Sequence, residues 1–430
     1  MRRVAGFLVV LGLCVAAASG VRGQVVVPPV FGTSNGVYID ADSTLHQRQT
    51  DGANDLAVAR LRAKSLQHPP ADQDLTYVSL PRVLAEVKKL VDEKKEIPAD
   101  LRYLSGLTQI RYVFVYPDDH DLIIAGPSEP YDATIPTEPY GKVTGRPVMH
   151  LDDLVTALRN PHAFGCSLDP HPDSLNRSNA VMKELAKATR AERMKALKEA
   201  MGPQQVRLWG TPRDSRLAFI TIAADYKLKR LILGLDPMPV AGVGSPVDNT
   251  RAAANRFWFE VNYAPLLVSP AGDAFELRGP RLLIKPGTFS TDTHGATESS
   301  KAFARRFTAK IDELSVVQPL FADLQNVADL CVVASLIHRD HLDRKAGVDL
   351  SWLASEEGYK PKSVPTPKTA ETLVNYTNGS LVAGGVTLDT SNVVAPDHRE
   401  KDSKGALAKV RARPTGDAWT RTDDAPSHGK

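Results

Sequence analysis

The sequence predicts an α+β protein in which antiparallel hairpins pack with amphipathic helices and the C-terminal tail is disordered. The stretch Phe257–Lys285 combines aromatic and β-branched residues around a turn at Ser269–Asp273, a pattern typical of a long β-hairpin. Residues 302–337 instead carry two apolar stripes at helical spacing, with a break at Pro319. Because hairpins and helices follow one another without regular βαβ alternation, the pattern favours α+β over a doubly wound sheet.

The elements of the first part are predicted from short local patterns. Val37 and Ile39 alternate with Tyr38 before an Asp-Ala-Asp-Ser turn, which indicates a short hairpin. Ser79 as N-cap, with Pro81 in the first turn, fits the start of a helix. The other predictions here are helices at 54–66, 80–91, 98–104 and 151–158, strands at 110–115 and 122–125, and a loop at 127–147.

The later elements follow from composition and from turn residues. Residues 176–201 are rich in Ala, Lys, Glu and Leu and end at Gly202, so they predict one long helix. Strands are predicted at 205–209 and 217–222, followed by a helix at 223–234 that Gly234 ends.

The long hairpin is expected to organise the core. Pro265, Gly279 and Pro280 interrupt regular pairing, so we expect an edge or bent hairpin rather than a flat central one. The apolar segment 320–337 is its natural packing partner, because both carry apolar surface that must leave water.

Two short segments share the pattern Gly-Val-x-(Ile/Leu)-Asp, Gly36–Asp40 and Gly385–Asp389. Either the likeness is a coincidence or both segments are edge strands that bring the termini together.

The chain has 430 residues, of which 42% are hydrophobic and 24% are charged, as in globular proteins with a real core. The predicted division is a signal peptide at 1–23, an N-terminal α+β region at 24–160, a C-terminal α+β region at 161–350, a linker and terminal strand at 351–395, and a disordered tail at 396–430.

The N-terminus predicts export. Basic Arg2 and Arg3 precede an apolar run from Val4 to Ala18 and then small residues, which is the form of a secretory signal peptide. The run is shorter than the ~20 residues that span a bilayer. We therefore expect a secreted or periplasmic protein without a stable membrane span after signal removal.

The formal charge of +3 falls to about zero without the three arginines of the signal segment. No basic stripe or aromatic RNA-binding motif occurs, so nucleic acid is not an expected partner.

Cys166 and Cys331 remain after signal removal. Export permits a disulfide between them, while two buried thiols are the other interpretation.

His338 and His341 form the strongest metal-like spacing, since positions i and i+3 share a helix face. The segment lacks the Glu that zinc proteases place beside the first His, and a solvated helix end is the favoured interpretation of these histidines.

A second cluster contains His162, Cys166 and His171. The cysteine is either a thiolate nucleophile or metal ligand, or part of a core strand with both histidines in exposed loops. The acidic run Asp118–Asp121 lacks calcium-ligand spacing and is interpreted as a hairpin turn.

Asp225 is expected to cap the helix that starts near it, with catalysis as the alternative. Lys227, Lys229 and Arg230 are expected to be exposed or paired nearby. No nucleotide-binding glycine motif or Gly-x-Ser-x-Gly occurs in the mature chain, and no cofactor is expected.

Five phrases, in this order along the chain, resemble a secreted family of unknown function found mainly in planctomycete bacteria. The resemblance covers roughly residues 36–337 and implies export and one coherent domain arrangement, but no reaction, cofactor or catalytic residue. The phrases are Arg102–Thr108, Gly126–Glu129, Cys166–Pro170, Ala223–Lys229 and Glu276–Pro280.

Two functions remain open at this point. The first is a non-catalytic binding or structural protein with an unknown envelope or surface ligand. The alternative is an exported enzyme, possibly a hydrolase, whose site gathers Asp225, His162 and Cys166 from separate loops.

Overall fold

The computed structural model describes residues 31–32, 36–48, 53–68, 74–134, 138–246, 256–287, 296–374 and 382–423. The predicted signal peptide lies outside the described residues. Within them the protein is α+β, as predicted, with a mixed sheet and helices.

Most strands belong to one large sheet. In chain order the strands are β1 (Phe31–Gly32), β2 (Val37–Ile39), β3 (Thr44–Gln47), β4 (Asp74–Ser79), β5 (Tyr112–Tyr116), β6 (Asp121–Ser128), β7 (Tyr131–Asp132), β8 (Tyr140–Gly141), β9 (Phe164–Asp169), β10 (Gln204–Trp209), β11 (Arg256–Val268), β12 (Ala274–Gly287), β13 (Thr369–Ala370), β14 (Ala383–Leu388), β15 (Arg399–Lys401) and β16 (Thr420–Asp423).

The sheet runs in the order β1-β2-β3-β13-β10-β9-β14-β11-β12-β5-β6-β4-β16 among the described strands. The long hairpin β11–β12 is therefore central, and its predicted edge position is wrong. On one side β11 pairs in parallel with β14, and farther along it pairs with β15. On the other side of the hairpin, β12 pairs with β5. The hairpin is central because it pairs with strands that are distant in sequence, and local sequence patterns do not reveal such pairing.

The hairpin is bent, as predicted. Its turn is held by Ser269, whose Oγ accepts hydrogen bonds from the backbone N–H groups of Asp273 and Ala274. The register of the β11–β12 ladder shifts between Asn262 and Leu267, which marks a β-bulge. Pro265 lies within this irregular part, where a missing N–H costs no regular ladder bond.

The helices lie mainly over one face of the central strands. They are α1 (Ala53–Gln67), α2 (Leu80–Asp92), α3 (Ala99–Arg102), α4 (Leu151–Arg159), α5 (Ser174–Glu184), α6 (Arg190–Met201), α7 (Arg216–Ile232), α8 (Glu298–Ala309), α9 (Ile311–Val317), α10 (Pro319–Asp340), α11 (Leu342–Ala346), α12 (Ser351–Ala354) and α13 (Ala406–Val410).

Helix α10 is the core helix that its apolar sequence predicts. Phe321 of α10 packs edge-on against Phe259 of β11, with ring centroids 5.3 Å apart. This packing confirms the predicted partnership of helix and hairpin. By length and composition α10 is long and apolar enough to cross a membrane, but its apolar window is wholly buried inside the protein.

Helix α7 replaces a predicted strand. The apolar run Leu217–Ile222 is helical because Ser215 caps the helix, its Oγ accepting from the N–H of Ala218, and the helix continues to Ile232. Nearly every side of α7 is buried, so its sequence lacks the polar stripe that identifies a surface helix. Gly234 follows its end with φ +64°, as predicted.

The helix predicted for 176–201 is two helices, α5 and α6. Thr189 starts the second with a capping box, since its side chain accepts from the N–H of Glu192 and the Glu192 carboxylate accepts in return.

The predicted disordered tail is corrected for residues 396–423, which contain β15, α13 and β16. The segment is polar, but a few side chains attach it to the sheet. Leu407 is fully buried, and the Arg411 guanidinium lies 4.4 Å from the Tyr116 ring centroid and 2.7 Å from Asp273. Residues 424–430 lie outside the described residues.

The two Gly-Val-x-(Ile/Leu)-Asp segments do not pair. Strand β2 pairs with β1 and β3, whereas β14 lies between β9 and β11. Strands from both predicted α+β regions share the one sheet. The division of the chain into these regions stays a prediction.

Candidate functional site

The four strands β10, β9, β14 and β11 have two unlike faces. Phe164, Leu168, Val206, Val386 and Phe259 point to the side of α7, α8 and α10, which we call the covered face. The residues between them point the other way, onto what we call the open face. On the open face lie Arg207, Trp209, Gly165, Ser167, Gly385, Thr387, Arg256, Trp258 and Glu260.

A cavity of about 430 Å³ occupies the open face, and we call it the tryptophan cavity. Its floor is made of small residues on β9 and β14, and its polar groups include the Arg256 side chain. Its lining residues are Cys166, Ser167, Trp209, Arg256, Trp258, Gly287, Gly385 and Thr387.

The two tryptophans are held by the glycines beneath them. The ring of Trp209 contacts Gly165 of β9, and the ring of Trp258 contacts Gly287 of β12, in space that a Cβ would fill. Aromatic rings over sheet glycines stabilise a sheet whatever its function. Trp209 nevertheless remains 42% exposed, so a large apolar side chain is open to solvent on this face.

The orientation of Trp258 is fixed by a short chain of polar contacts. Its Nε1–H donates to Glu260 Oε1 over 2.6 Å, and the Glu260 Oε2 lies 2.5 Å from Lys285 Nζ. The Trp258 ring is thus a rigid wall of the cavity, and the Glu260 carboxylate beside it is neutralised by Lys285.

The covered face of the same strands holds a buried ion pair. Asp225 Oδ2 and Lys229 Nζ of α7 lie 3.3 Å apart, and both side chains are fully buried. Lys229 also donates to the backbone carbonyl of Leu168 over 2.7 Å. Gly384 leaves the space for the pair, since a Cβ there would overlap both side chains. Asp225 is therefore mid-helix, and its predicted role as an N-cap is wrong.

Burial dominates the protonation of this pair. It raises the pKa of Asp225 to about 6, against the lowering effect of the Lys229 charge. It lowers the pKa of Lys229, against the opposite effect of Asp225. Burial and the Asp225 charge raise the pKa of the neighbouring Cys166 thiol well above its usual value. Of the nearby cations, Lys227 and Arg230 pair with Asp236 and Lys229 pairs with Asp225, as expected, although Lys229 is fully buried.

Of the residues of the predicted loop-built site, Asp225 and Cys166 lie close together in the buried core, whereas His162 is exposed. Cys166 lies in the core strand β9, as one interpretation had it, and Cys166 and Cys331 are both free buried thiols. His162 is an exposed residue whose ring centroid lies 5.7 Å from that of His338. His171 is exposed beside Asp173.

His338 and His341, the predicted metal pair, are separated by the end of helix α10. Helix α10 ends at Asp340, and His341 has left-handed backbone with φ +52°, so His338 and His341 do not share a continuous helix. Across the described ranges no group of three or more His, Cys, Asp or Glu side chains is arranged to hold a metal ion. Metal binding by His338 and His341 stays a prediction.

A second polar cluster lies at the start of α7. Arg216 joins two buried carboxylates, with Nη2 2.7 Å from Asp323 Oδ1 and Nη1 2.5 Å from Asp153 Oδ2. Burial raises the pKa of Asp153 to about 6. An adjacent cavity of about 370 Å³, which we call the carboxylate cavity, is lined by Asp152, Asp214 and Glu356 together with Arg159, Lys360 and Lys362.

Among the carboxylates of that cavity, Asp152 has a raised pKa. Burial raises its pKa, although Tyr359 donates its hydroxyl proton to Asp152 Oδ1 over 2.6 Å.

Residues 166–245 match the family described as "Protein of unknown function (DUF1598)". This range contains most of β9 and all of β10 and α7, and with them Trp209 and the buried ion pair. Trp258, Gly384 and Gly385 come from outside it. No curated protein and no solved structure matches the chain.

Sequence reasoning missed the tryptophan cavity. The alternation of Gln205, Arg207 and Trp209 with Val206 and Leu208 was the available signal, because it puts a tryptophan on the polar side of its strand. Nothing local could have brought Trp258 to the same surface.

Proposed function

We propose that the protein is a secreted, non-catalytic binding protein of the bacterial envelope or cell surface, and that the tryptophan cavity contacts its ligand. The observation that supports this most is the exposed Trp209, which shares a small-residue cavity with Trp258. Export rests on the N-terminal sequence pattern alone.

The form of the cavity suits binding. Rigid aromatic side chains provide contact area at little entropic cost, and small floor residues let a flat ligand approach the sheet. Ser167, Thr387 and Arg256 add polar groups that can orient the ligand.

The positions of the reactive groups favour binding over catalysis. Asp225 is fully buried on the covered face, and Cys166 is buried with a raised pKa, so its thiol is protonated at neutral pH. A buried, protonated thiol and a buried, paired carboxylate are poor reagents for a bound ligand.

The alternative, an exported hydrolase, is favoured by one observation. The carboxylate cavity combines three acidic side chains, and the pKa of Asp152 is raised, as a general acid requires. Loss of a hydrolytic activity in Asp152→Asn would support this alternative.

Co-sedimentation with insoluble envelope polymers tests the proposal. We expect wild-type protein and the matched control Gln205→Ala, an open-face residue outside the cavity, to pellet with a polymer without releasing soluble fragments. The double variant Trp209→Ala/Trp258→Ala should stay in the supernatant. Release of soluble fragments by wild-type protein, abolished in Asp225→Asn or Asp152→Asn, would reject a non-catalytic role.

A further inference from the structure

A second cavity continues the tryptophan cavity along the open face. It has a volume of about 370 Å³ and shares Thr387 with the tryptophan cavity. Asn262, Asp389, Asn392 and His398 supply its polar lining. We call it the amide cavity, after its two asparagines.

The amide cavity occupies a gap in the sheet. Strand β14 pairs with β11 only as far as Glu260, and β15 joins β11 from Leu266 onward. Between them, residues 261–265 of β11 have no strand partner on that side among the described residues. The His398 ring lies there, with Nε2 3.1 Å from the Tyr263 carbonyl oxygen. The amide cavity lies at this gap, with His398 in its lining.

The two cavities meet at Thr387, and β11 runs beside both of them without a register shift from Arg256 to Asn262. Open-face residues of β11 run from Arg256 at one end to Asn262 at the other. The six steps of about 3.3 Å between these two residues give a length of about 20 Å. A ligand that fills both cavities, which we together call the groove, is extended.

The chemistry changes along the groove. Trp258 on β11 and Trp209 on β10, two strands beyond β14, provide aromatic faces in the tryptophan cavity. At the other end the side-chain amides of Asn262 and Asn392 make no hydrogen bond to other described residues, so each offers donors and an acceptor. A pyranose has a C–H face that packs on an aromatic ring and a rim of hydroxyls that pair with amides.

Charge argues for an uncharged ligand. The nearest carboxylate, Glu260, is neutralised by Lys285. The groove also contains one cation, Arg256, and one anion, Asp389, so its lining has no dominant sign.

We infer that the ligand is a straight, uncharged, β-1,4-linked polysaccharide chain that lies along β11 through both cavities. The inference rests on the proposed function, since it uses the tryptophan cavity as one end of the groove. A sugar unit extends about as far as one and a half residues of strand, so the groove accepts about four units.

Calorimetric titration with purified oligosaccharides tests the inference. The probes are β-1,4-linked oligomers of glucose and of N-acetylglucosamine, each from one to about six units long. For at least one series we expect affinity to rise with length and to level off at about four units. Asn262→Ala/Asn392→Ala should weaken binding of the tetramer about tenfold and leave the dimer unchanged, because only the longer chain reaches the amides. Gln205→Ala is the matched control.

Three outcomes overturn the inference: no binding in either series, no dependence on length, or equal weakening of dimer and tetramer in the asparagine variant. The proposed function fails separately, if the wild-type protein does not pellet with any envelope polymer. Pelleting that requires the tryptophans, without any response to oligomer length, would keep the proposed function and reject the extended ligand.

Discussion

Gly384 and Gly385 are neighbours on β14, and they face opposite sides of the same sheet. Gly384 faces the covered side, where its missing side chain makes room for Asp225 and Lys229. Gly385 faces the open side, where it forms part of the floor of the tryptophan cavity. One strand therefore supports two different features: a buried ion pair that belongs to the core, and a surface cavity that a ligand can reach.

The buried ion pair is best understood as a structural element. Taking two charges out of water costs several kcal/mol, and their attraction at short distance offsets much of that cost. Both side chains of the pair are fully buried, with the Cys166 thiol and the Gly384 backbone beside them, so a ligand has no access to the charges. The open face instead gives access without buried charge.

The largest expected effect is on the covered face. Asp225→Ala should lower the free energy of unfolding by about 3–5 kcal/mol, because it leaves Lys229 buried without its partner. Urea denaturation measures the change. The matched control is Asp225→Leu/Lys229→Met, which removes both charges and should cost clearly less. Equal losses in the two variants would show that packing, not charge, matters there.

The pH dependence of stability tests the same pair. The folded pKa of Asp225, about 6, lies above its usual value of 3.8. The folded state therefore binds the proton more tightly, and this contribution is fully present below pH 3.8 and lost as pH rises through 6. The difference in unfolding free energy between wild type and Asp225→Asn should fall by about 1–3 kcal/mol over this window. A flat difference would contradict the raised pKa.

On the open face we expect a small effect on stability and a large one on binding. Trp209→Ala should lower the free energy of unfolding by only about 1 kcal/mol, because much of the ring is in water and only its contact with Gly165 is lost. The same variant should weaken polymer binding about tenfold or more. Trp209→Phe should restore part of the binding, and the measurements are urea denaturation and co-sedimentation.

The smallest expected response is that of the thiols. Cys166 and Cys331 are buried, and the pKa of each is raised, so a thiol reagent should not label either in native protein at neutral pH. Both should react at once in urea. Fast labelling of native Cys166 would show that the strand beneath the tryptophan cavity opens.

Local patterns were enough for much of the fold. The hairpin β11–β12 and the helix α10 follow from strand and helix periodicity, and their contact follows from shared apolar surface. The strand predicted at Leu217–Ile222 was wrong because a helix buried on all sides has no polar stripe. The ordered tail was missed because a few contacts, such as Arg411 on Tyr116, hold an otherwise polar segment.

The candidate site was not predictable in the same way. The local sequence draws attention to Asp225, but the space for its buried side chain depends on Gly384, more than 150 residues away. Trp209 and Trp258 line one cavity because their strands, β10 and β11, lie in one sheet with only β9 and β14 between them. Sites of this kind depend on strand order, which short sequence patterns do not encode.

The most direct test compares one substitution on each face in the same co-sedimentation assay, using full-length variants that are folded by circular dichroism. We predict that Asp225→Asn, although less stable, pellets with envelope polymer as wild type does. Trp209→Ala/Trp258→Ala, although nearly as stable as wild type, should remain in the supernatant. Binding that survives loss of both tryptophans but disappears in folded Asp225→Asn would contradict the assignment of ligand contact to the open face.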